Sequence, residues 1–542
     1  MDLIIHNAHI KTMDKSKPCA EAIAVKGGLI AAVGNNEEIL AMAAQNTKTI
    51  DLNGKTLIPG FNDSHMHLLG YAGELKMVDL NGTASVDEMV DRVKSFIEKN
   101  SIPAGSIVLG SGWNQNFFGE KRNPNRYDLD KASTEHIIIT DRACHHVCAI
   151  NSKALEHFGI NKNTPDFEDG EIVRDESGEP IGLFTENARS LIKNNKQLEI
   201  SEIEELILSA APNLAKMGLT SVQSDDFTAS QPYERVYTAY SNLAKAGKLT
   251  FRVNQQCRAS GYDAYEKIMA MEQTDDKTGP YYKLGPIKVM ADGSLGARTA
   301  LMLEPYADAP ETKGIPIYPQ GELDKIAALA HDGGRALAIH AIGDGAMAMS
   351  LQAIKKAKSA NPKNNMRHGI VHCQITDASM LKDFSDNDIT AYIQPIFIHA
   401  DWPIVAARVG AEKASTSYAF KTLKDSGVHI PFGTDCPVEQ FNPFNNLYCA
   451  ITRKDLTGSP AEGYNPAEAL CVDEAVYCYT AEGAFASYEE NVKGMLKEGM
   501  YADMVALSKN IFDERHEEIL NTEVEMTIFD GKVIYSKYET CL

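Results

Sequence analysis

The stretch Leu57-Ile58-Pro59-Gly60-Phe61-Asn62-Asp63-Ser64-His65-Met66-His67-Leu68 decides how this 542-residue chain is read. An apolar run stops at Pro59-Gly60, re-extends, and closes on two imidazoles one residue apart. Residues two apart on an extended strand point to the same side. His65 and His67 can therefore reach one cation, and neutral imidazole is a good ligand for zinc and similar metals. His-x-His pairs are common, so the weight comes from residues further along the chain.

Apolar β-type runs recur at 57–63, 219–224, 249–256, 285–291, 335–340, 369–372, 389–395 and 429–433. Helix-like stretches such as 203–217, 322–332, 346–358 and 404–413 separate them. Repeated strand–helix units favour a parallel sheet, and eight of them favour a barrel. About 150 residues lie between the first two runs, too many for a loop, so an insertion is expected at about 75–195. Within it, His136–Thr140 and Glu171–Gly182 read as strands.

Both ends of the chain read as β. Residues 2–12, 21–33 and 47–58 look like short strands, with a hairpin turn at Gly27-Gly28. Asp503–Leu507 reads as a buried strand and Glu525–Tyr535 as a hairpin turning at Asp530-Gly531. Neither end alone makes a stable sheet, so the two are expected to build one together. The expected class is α/β: a (β/α)8 TIM barrel with a large insertion after strand 1, plus a small β-sandwich domain built from both termini. The boundaries are 1–58 and 486–542 for the sandwich and 59–485 for the barrel.

Composition narrows the partners. Formal charge is −21, from 74 acidic against 53 basic residues. Nucleic acids and anionic membranes are bound through Lys and Arg, so neither is expected as the main partner. A small-molecule substrate is expected instead, with self-association into a homo-oligomer left open. The N-terminus has no signal-peptide pattern and no run of about 18 apolar residues appears. Ten scattered cysteines lack paired C-x-x-C spacing, which fits reduced thiols in a cytoplasmic protein. Cys144-His-His-Val-Cys148 offers metal-type side chains, but a tetrahedral structural site needs two further ligands nearby.

The later strand candidates also carry chemistry. Lys288 lies inside Pro286–Met290, and His340, His372 and Asp435 close the fifth, sixth and eighth runs. In a barrel those ends converge on the face that carries active sites. Each has a plain alternative: a hydrogen-bonded structural histidine, a lysine paired with a carboxylate, or an aspartate capping the next helix. Their recurrence at one topological level favours a shared site.

Taken together, these motifs resemble the amidohydrolase superfamily of metal-dependent hydrolases. Pro-Gly-Phe-x-Asp-x-His-x-His looks like its first-strand signature. Ile287–Thr299, His340-Ala-Ile-Gly-Asp344, His372-Cys-Gln374 and Gly433–Val438 are similar to the YtcJ-like branch, which includes N-substituted formamide deformylase. So are Leu109–Asn114, Asn151–Leu155 and Gly178–Gly182. Val371 stands where that branch has a glutamate, and Cys144-His145 where it has Asp-Gly.

The resemblance implies hydrolysis of an amide-type C–N bond of a small molecule. It gives His65, His67 and Asp435 to one divalent metal, most readily zinc, and His340 and His372 to a second. Lys288, carboxylated by carbon dioxide, would bridge the two; unmodified, it leaves a mononuclear site. Asp435 is the candidate general base and acid. Trp113, Asn114, His146 and Arg298 are candidate substrate contacts, because their motif segments are expected near the barrel mouth. Two readings compete: the same metals hydrolysing an ester, lactone or other non-amide substrate, and an inactive binding or scaffold barrel.

Overall fold

A computed structural model describes residues 1–143, 146–166, 170–192, 197–230, 232–271 and 278–538. Cys144 and His145 lie outside the described residues. The chain divides into two compact units, Met1–Tyr71 with Glu199–Leu542, and Ala72–Leu198.

The first unit holds a barrel. Seven parallel strands pair in chain order: Phe61–Met66, Leu219–Ser224, Arg252–Arg258, Tyr282–Met290, Leu337–Ala341, Gly369–His372 and Thr390–Tyr392. The eighth segment, 429–433, closes the ring by single bonds rather than a regular ladder. Ala391 and Ile393 N–H donate to the His429 and Pro431 carbonyls, while Ser64 N–H donates to the Phe432 carbonyl on the other side. Helices link successive strands, among them Gln320–Asp332, Asp344–Ala360 and Ala378–Asp386. This is the (β/α)8 class of architecture, whose active sites lie at the C-terminal strand ends.

The run 57–63, continuous as an apolar pattern, divides between two layers. Thr56–Pro59 belongs to a terminal sheet, and Phe61–Met66 opens the barrel. Gly60 is the step between them. A Cβ there would lie 2.2 Å from Thr220 Oγ1, so only glycine lets the chain pass this close to the second strand.

The termini form two sheets. One holds Leu29–Gly34, Ala22–Lys26, Leu3–His6 and Lys48–Asp51. The other holds Lys532–Ser536, Val524–Phe529, Met504–Leu507, Thr56–Pro59, His9–Lys11 and Cys19–Ala20. Met504–Leu507 runs antiparallel to Thr56–Pro59, so residues far apart in sequence complete one layer. Leu3, Ile5, Ile23, Leu57, Met504, Met526 and Ile528 share one buried apolar cluster. The expected strand 2–12 is broken at Asn7, whose φ of 54 turns the chain into a second sheet. Asp530 and Gly531 turn the final hairpin with φ of 53 and 73, the left-handed pair that a tight hairpin needs.

The second unit carries its own six-stranded sheet, in the order Ile172–Arg174, Pro180–Thr185, Val147–Ile150, Ile137–Arg142, Ile107–Trp113 and Val78–Asp79. Helix Val86–Lys99, capped by Ser85 Oγ accepting from Glu88 N–H, buries Met89, Val90 and Val93 with Val78, Val108 and Ile138.

Among the described residues, no helix is long and apolar enough to cross a membrane.

Candidate metal centre

His65, His67, Lys288, His340, His372 and Asp435 all stand at or near the C-terminal ends of barrel strands. One ligand atom each from His65, His372 and Asp435 falls within 4.8 Å of the others. His67 Nε2 lies 3.0 Å from Asp435 Oδ1, and Lys288 Nζ 3.3 Å from His65 Nε2. The His340 and His372 ring centres are 4.4 Å apart.

Each imidazole has one nitrogen committed to an acceptor, and that sets which nitrogen keeps its lone pair. His65 Nδ1–H donates to Gln256 Oε1 (2.7 Å), and His372 Nδ1–H to Gln394 Oε1 (2.8 Å). His67 Nδ1–H donates to the Asp225 carbonyl (3.0 Å). Each of these three offers Nε2. His340 is reversed: its Nε2–H donates to the Gly293 carbonyl (3.0 Å), which leaves Nδ1 free.

A conflict arises at Asp435. Its Oδ1 lies 3.2 Å from His65 Nε2 and 3.0 Å from His67 Nε2. Three electron-pair donors facing one another repel unless a proton or a cation stands among them. A proton can do so at His67: burial opposes it, but Asp435 and then Asp225 lift that ring to about 9. A divalent cation would serve all three donors at once. The donor set of imidazoles and a carboxylate fits zinc or a similar metal.

The remaining charges agree with that fit. Burial, then Lys288, hold His65 down at about 4, and burial with His340 pushes His372 well below its ordinary value. Both stay neutral, as ligands must. Burial alone would raise Asp435, yet its contacts with His65 and His67 keep it well below the usual carboxylate range. Burial brings the fully enclosed Lys288 down to about 8, against the pull of Asp225 and Asp435. A useful share of its amine is then uncharged near neutral pH.

The backbone is strained at this site. His372, Cys373 and Asp435 have φ of 83, 49 and 59, left-handed values that non-glycine residues avoid. Asp63 holds the junction: its Oδ1 accepts from His65 N–H (3.1 Å) and Thr434 N–H (3.2 Å), and its Oδ2 from Thr434 Oγ1 (2.6 Å). Asp435 N–H donates to the His65 carbonyl at 2.7 Å. These bonds lock the first strand to the eighth.

Arg298 is paired with Asp308 at 2.9 Å. In the second unit Trp113 is fully buried, its indole N–H donating to the Thr140 carbonyl (3.1 Å). Asn114 Oδ1 accepts from Arg142 (3.1 Å), and exposed His146 contacts Glu186 (2.8 Å). Val371, in place of the glutamate, packs with Ala338, Tyr392 and Ala486.

Gln256, Gln394, Asp225 and Asp63 hydrogen-bond the candidate ligands, and the sequence reading did not single them out. Their signal is polar residues closing apolar runs: Ser224-Asp225-Asp226, Gln255-Gln256 and Gln394.

Comparison with known proteins places this geometry. The model of the amidohydrolase family matches residues 48–535, and the chain belongs to that family. It is similar to YtcJ of Bacillus subtilis (strain 168), provisionally named an amidohydrolase, with 32% identity over 99% of this chain and 100% of the relative. It is also similar to N-substituted formamide deformylase of Arthrobacter pascens, 28% identical over 99% of this chain and 98% of that protein. The solved structure of an uncharacterized metal-dependent hydrolase from Pyrococcus furiosus superposes with a TM-score of 0.77 at 28% identity, covering 94% of this chain and all of that one. The class so defined is a metal-dependent hydrolase of the amidohydrolase superfamily.

Proposed function

We propose that this protein hydrolyses an amide-type C–N bond of a small molecule, with His65, His67, Lys288, His340, His372 and Asp435 holding one or two divalent metals, zinc first among them. The observation that carries the reading is Asp435 Oδ1 set between His65 Nε2 and His67 Nε2, three donors that one shared cation would satisfy together. When bound, a divalent metal polarises a substrate carbonyl and lowers the pKa of water from 15.7 to about 7.

The chain's own residues supply the rest. The Gln and carbonyl acceptors hold four imidazoles in their ligand tautomers. Asp435, kept ionised, accepts a proton from the attacking water through its carboxylate and returns it to the departing nitrogen. That return matters, because an amide anion is too basic to leave unprotonated. Lys288 takes up carbon dioxide at Nζ, losing a proton and becoming an anionic carbamate. Its burial and lowered pKa support that reaction, since only the free amine adds carbon dioxide.

The test is a hydrolysis screen of metal-loaded protein against N-formyl amines, N-acyl amines, dipeptides, esters and lactones. Release of amine from the N-formyl or N-acyl set supports the reading. Turnover confined to esters and lactones would transfer the same site to the competing substrate class. Similarity to a formamide deformylase makes N-substituted formamides the first compounds to try.

A further inference from the structure

Two of the four site histidines are oriented by side chains rather than by backbone, and both by the same chemical group. Gln256, in the third strand, reaches His65 of the first. Gln394, just past the seventh strand, reaches His372 of the sixth. Each carboxamide is itself held. Gln256 Nε2 donates to the Ser64 carbonyl at 3.0 Å, and Gln394 Nε2 to the Tyr392 carbonyl at 3.4 Å. Both side chains are buried, at 0% and 2% exposure, so no water competes for them.

These contacts set the direction of each bond. A carbonyl only accepts, so it claims the NH2 end of the amide and turns Oε1 toward the ring. Oε1 in turn only accepts, so the imidazole must carry its proton on Nδ1. The lone pair is then on Nε2, the atom of His65 that faces Asp435 at 3.2 Å. The chain therefore writes the tautomer of each ring through a Gln whose own orientation is already decided.

The choice of amide over carboxylate has a second effect. A carboxylate at Nδ1 pulls the imidazole proton and makes the ring a stronger electron donor. An uncharged amide orients the ring without adding negative charge. We infer that Gln256 and Gln394 are the positioning residues of the centre, fixing His65 and His372 as Nε2 ligands while leaving a bound cation's positive charge undiminished. This rests on the metal reading above. It assigns one glutamine to each of two candidate ligands, Gln256 to His65 and Gln394 to His372.

A packing role for these buried glutamines gives a different outcome from a positioning role. Loss of packing lowers the stability of the metal-free fold but leaves a folded protein's metal affinity alone. Loss of positioning lowers metal affinity, typically 10–100-fold when such an outer partner is removed. The experiment is zinc competition against a colorimetric chelator on the full chain, for wild type, Gln256→Leu and Gln394→Leu. Thermal unfolding of the chelator-treated proteins runs in parallel. Each leucine variant is expected to lose about 10–100-fold in affinity for one zinc equivalent. Cobalt-loaded samples should show an altered visible spectrum. Gln394→Glu keeps an acceptor at the same place and is expected to retain zinc, and it carries the test if the leucine variants do not fold. Leucine variants that fold and bind zinc as tightly as wild type would overturn the inference, as would loss of zinc by a folded Gln394→Glu. Absence of zinc from the wild type itself would instead sink the metal reading.

Discussion

Asp435 is where the account makes its sharpest demand on one side chain. It must be both a ligand and a proton carrier, which its ionised state and its contacts to His65 and His67 allow. Asp435→Asn keeps the shape and one acceptor oxygen but cannot take a proton. Turnover should fall by about 10²–10⁴-fold, the usual worth of a positioned acid–base group, with much of the metal retained. Steady-state kinetics beside metal analysis checks this, and wild-type kcat would remove Asp435 from the proton transfer. Lys288 gives a second test at this scale. Intact-protein mass spectrometry of bicarbonate-treated protein should find one added carbon dioxide, absent from Lys288→Met. At the residue scale the ligand-type side chains were readable because histidine and aspartate announce themselves at strand ends. Gln256 and Gln394 were not, because glutamine has no metal chemistry of its own. Their role exists only once the third and seventh strands bring them to His65 and His372.

The strands that carry these residues depend on close backbone contacts and buried neutral networks. Gly60 passes the second strand with no room for a methyl group. Gly60→Ala should destabilise the protein by about 1–3 kcal/mol through overpacking, read as a lower midpoint in urea. Beneath the fifth and sixth strands, Leu337 N–H donates to His368 Nδ1 (3.1 Å). His368 Nε2–H then donates to His331 Nδ1 (2.8 Å), and His331 Nε2–H to the Asn361 carbonyl (2.9 Å). Burial, then His331, hold His368 at about 3. Below the unfolded value of about 6.5, the unfolded chain takes up a proton that the native chain refuses. This term therefore contributes fully above about pH 6.5 and is lost progressively as pH falls toward 3. The melting temperature should drop across that window, and less steeply in His368→Gln, whose amide can replace both bonds. An equal slope in both proteins would clear His368 of the effect. The alternation of strand and helix was legible here, yet 57–63 read as one strand. Its break depends on Gly60 meeting Thr220, a contact about 160 residues away in sequence.

Over the whole molecule, the terminal sheets and the barrel of the first unit are joined by a buried charge. Arg252, in the third barrel strand, pairs with Asp503 at 2.7 Å and lies 3.7 Å from the Tyr501 ring centre. Removing one partner of such a pair leaves a buried charge uncompensated, so Arg252→Met should cost about 3–5 kcal/mol, seen in denaturant unfolding. Loss of under about 1 kcal/mol would mean that Asp503 finds water or another partner. The joint sandwich was legible because each terminus alone had too few strands to close a sheet. The sheet order was not, because Met504–Leu507 pairs with Thr56–Pro59 through tertiary contact that no local pattern records.

The central claim is a metal held where His65, His67 and Asp435 converge. Elemental analysis of zinc-supplemented wild type and of the His65→Asn/His67→Asn double variant, both shown to be folded, tests it most directly. The account predicts one or two zinc equivalents per wild-type chain and at least one fewer in the variant. Folded wild type without zinc, or a double variant that keeps its full complement, would contradict it.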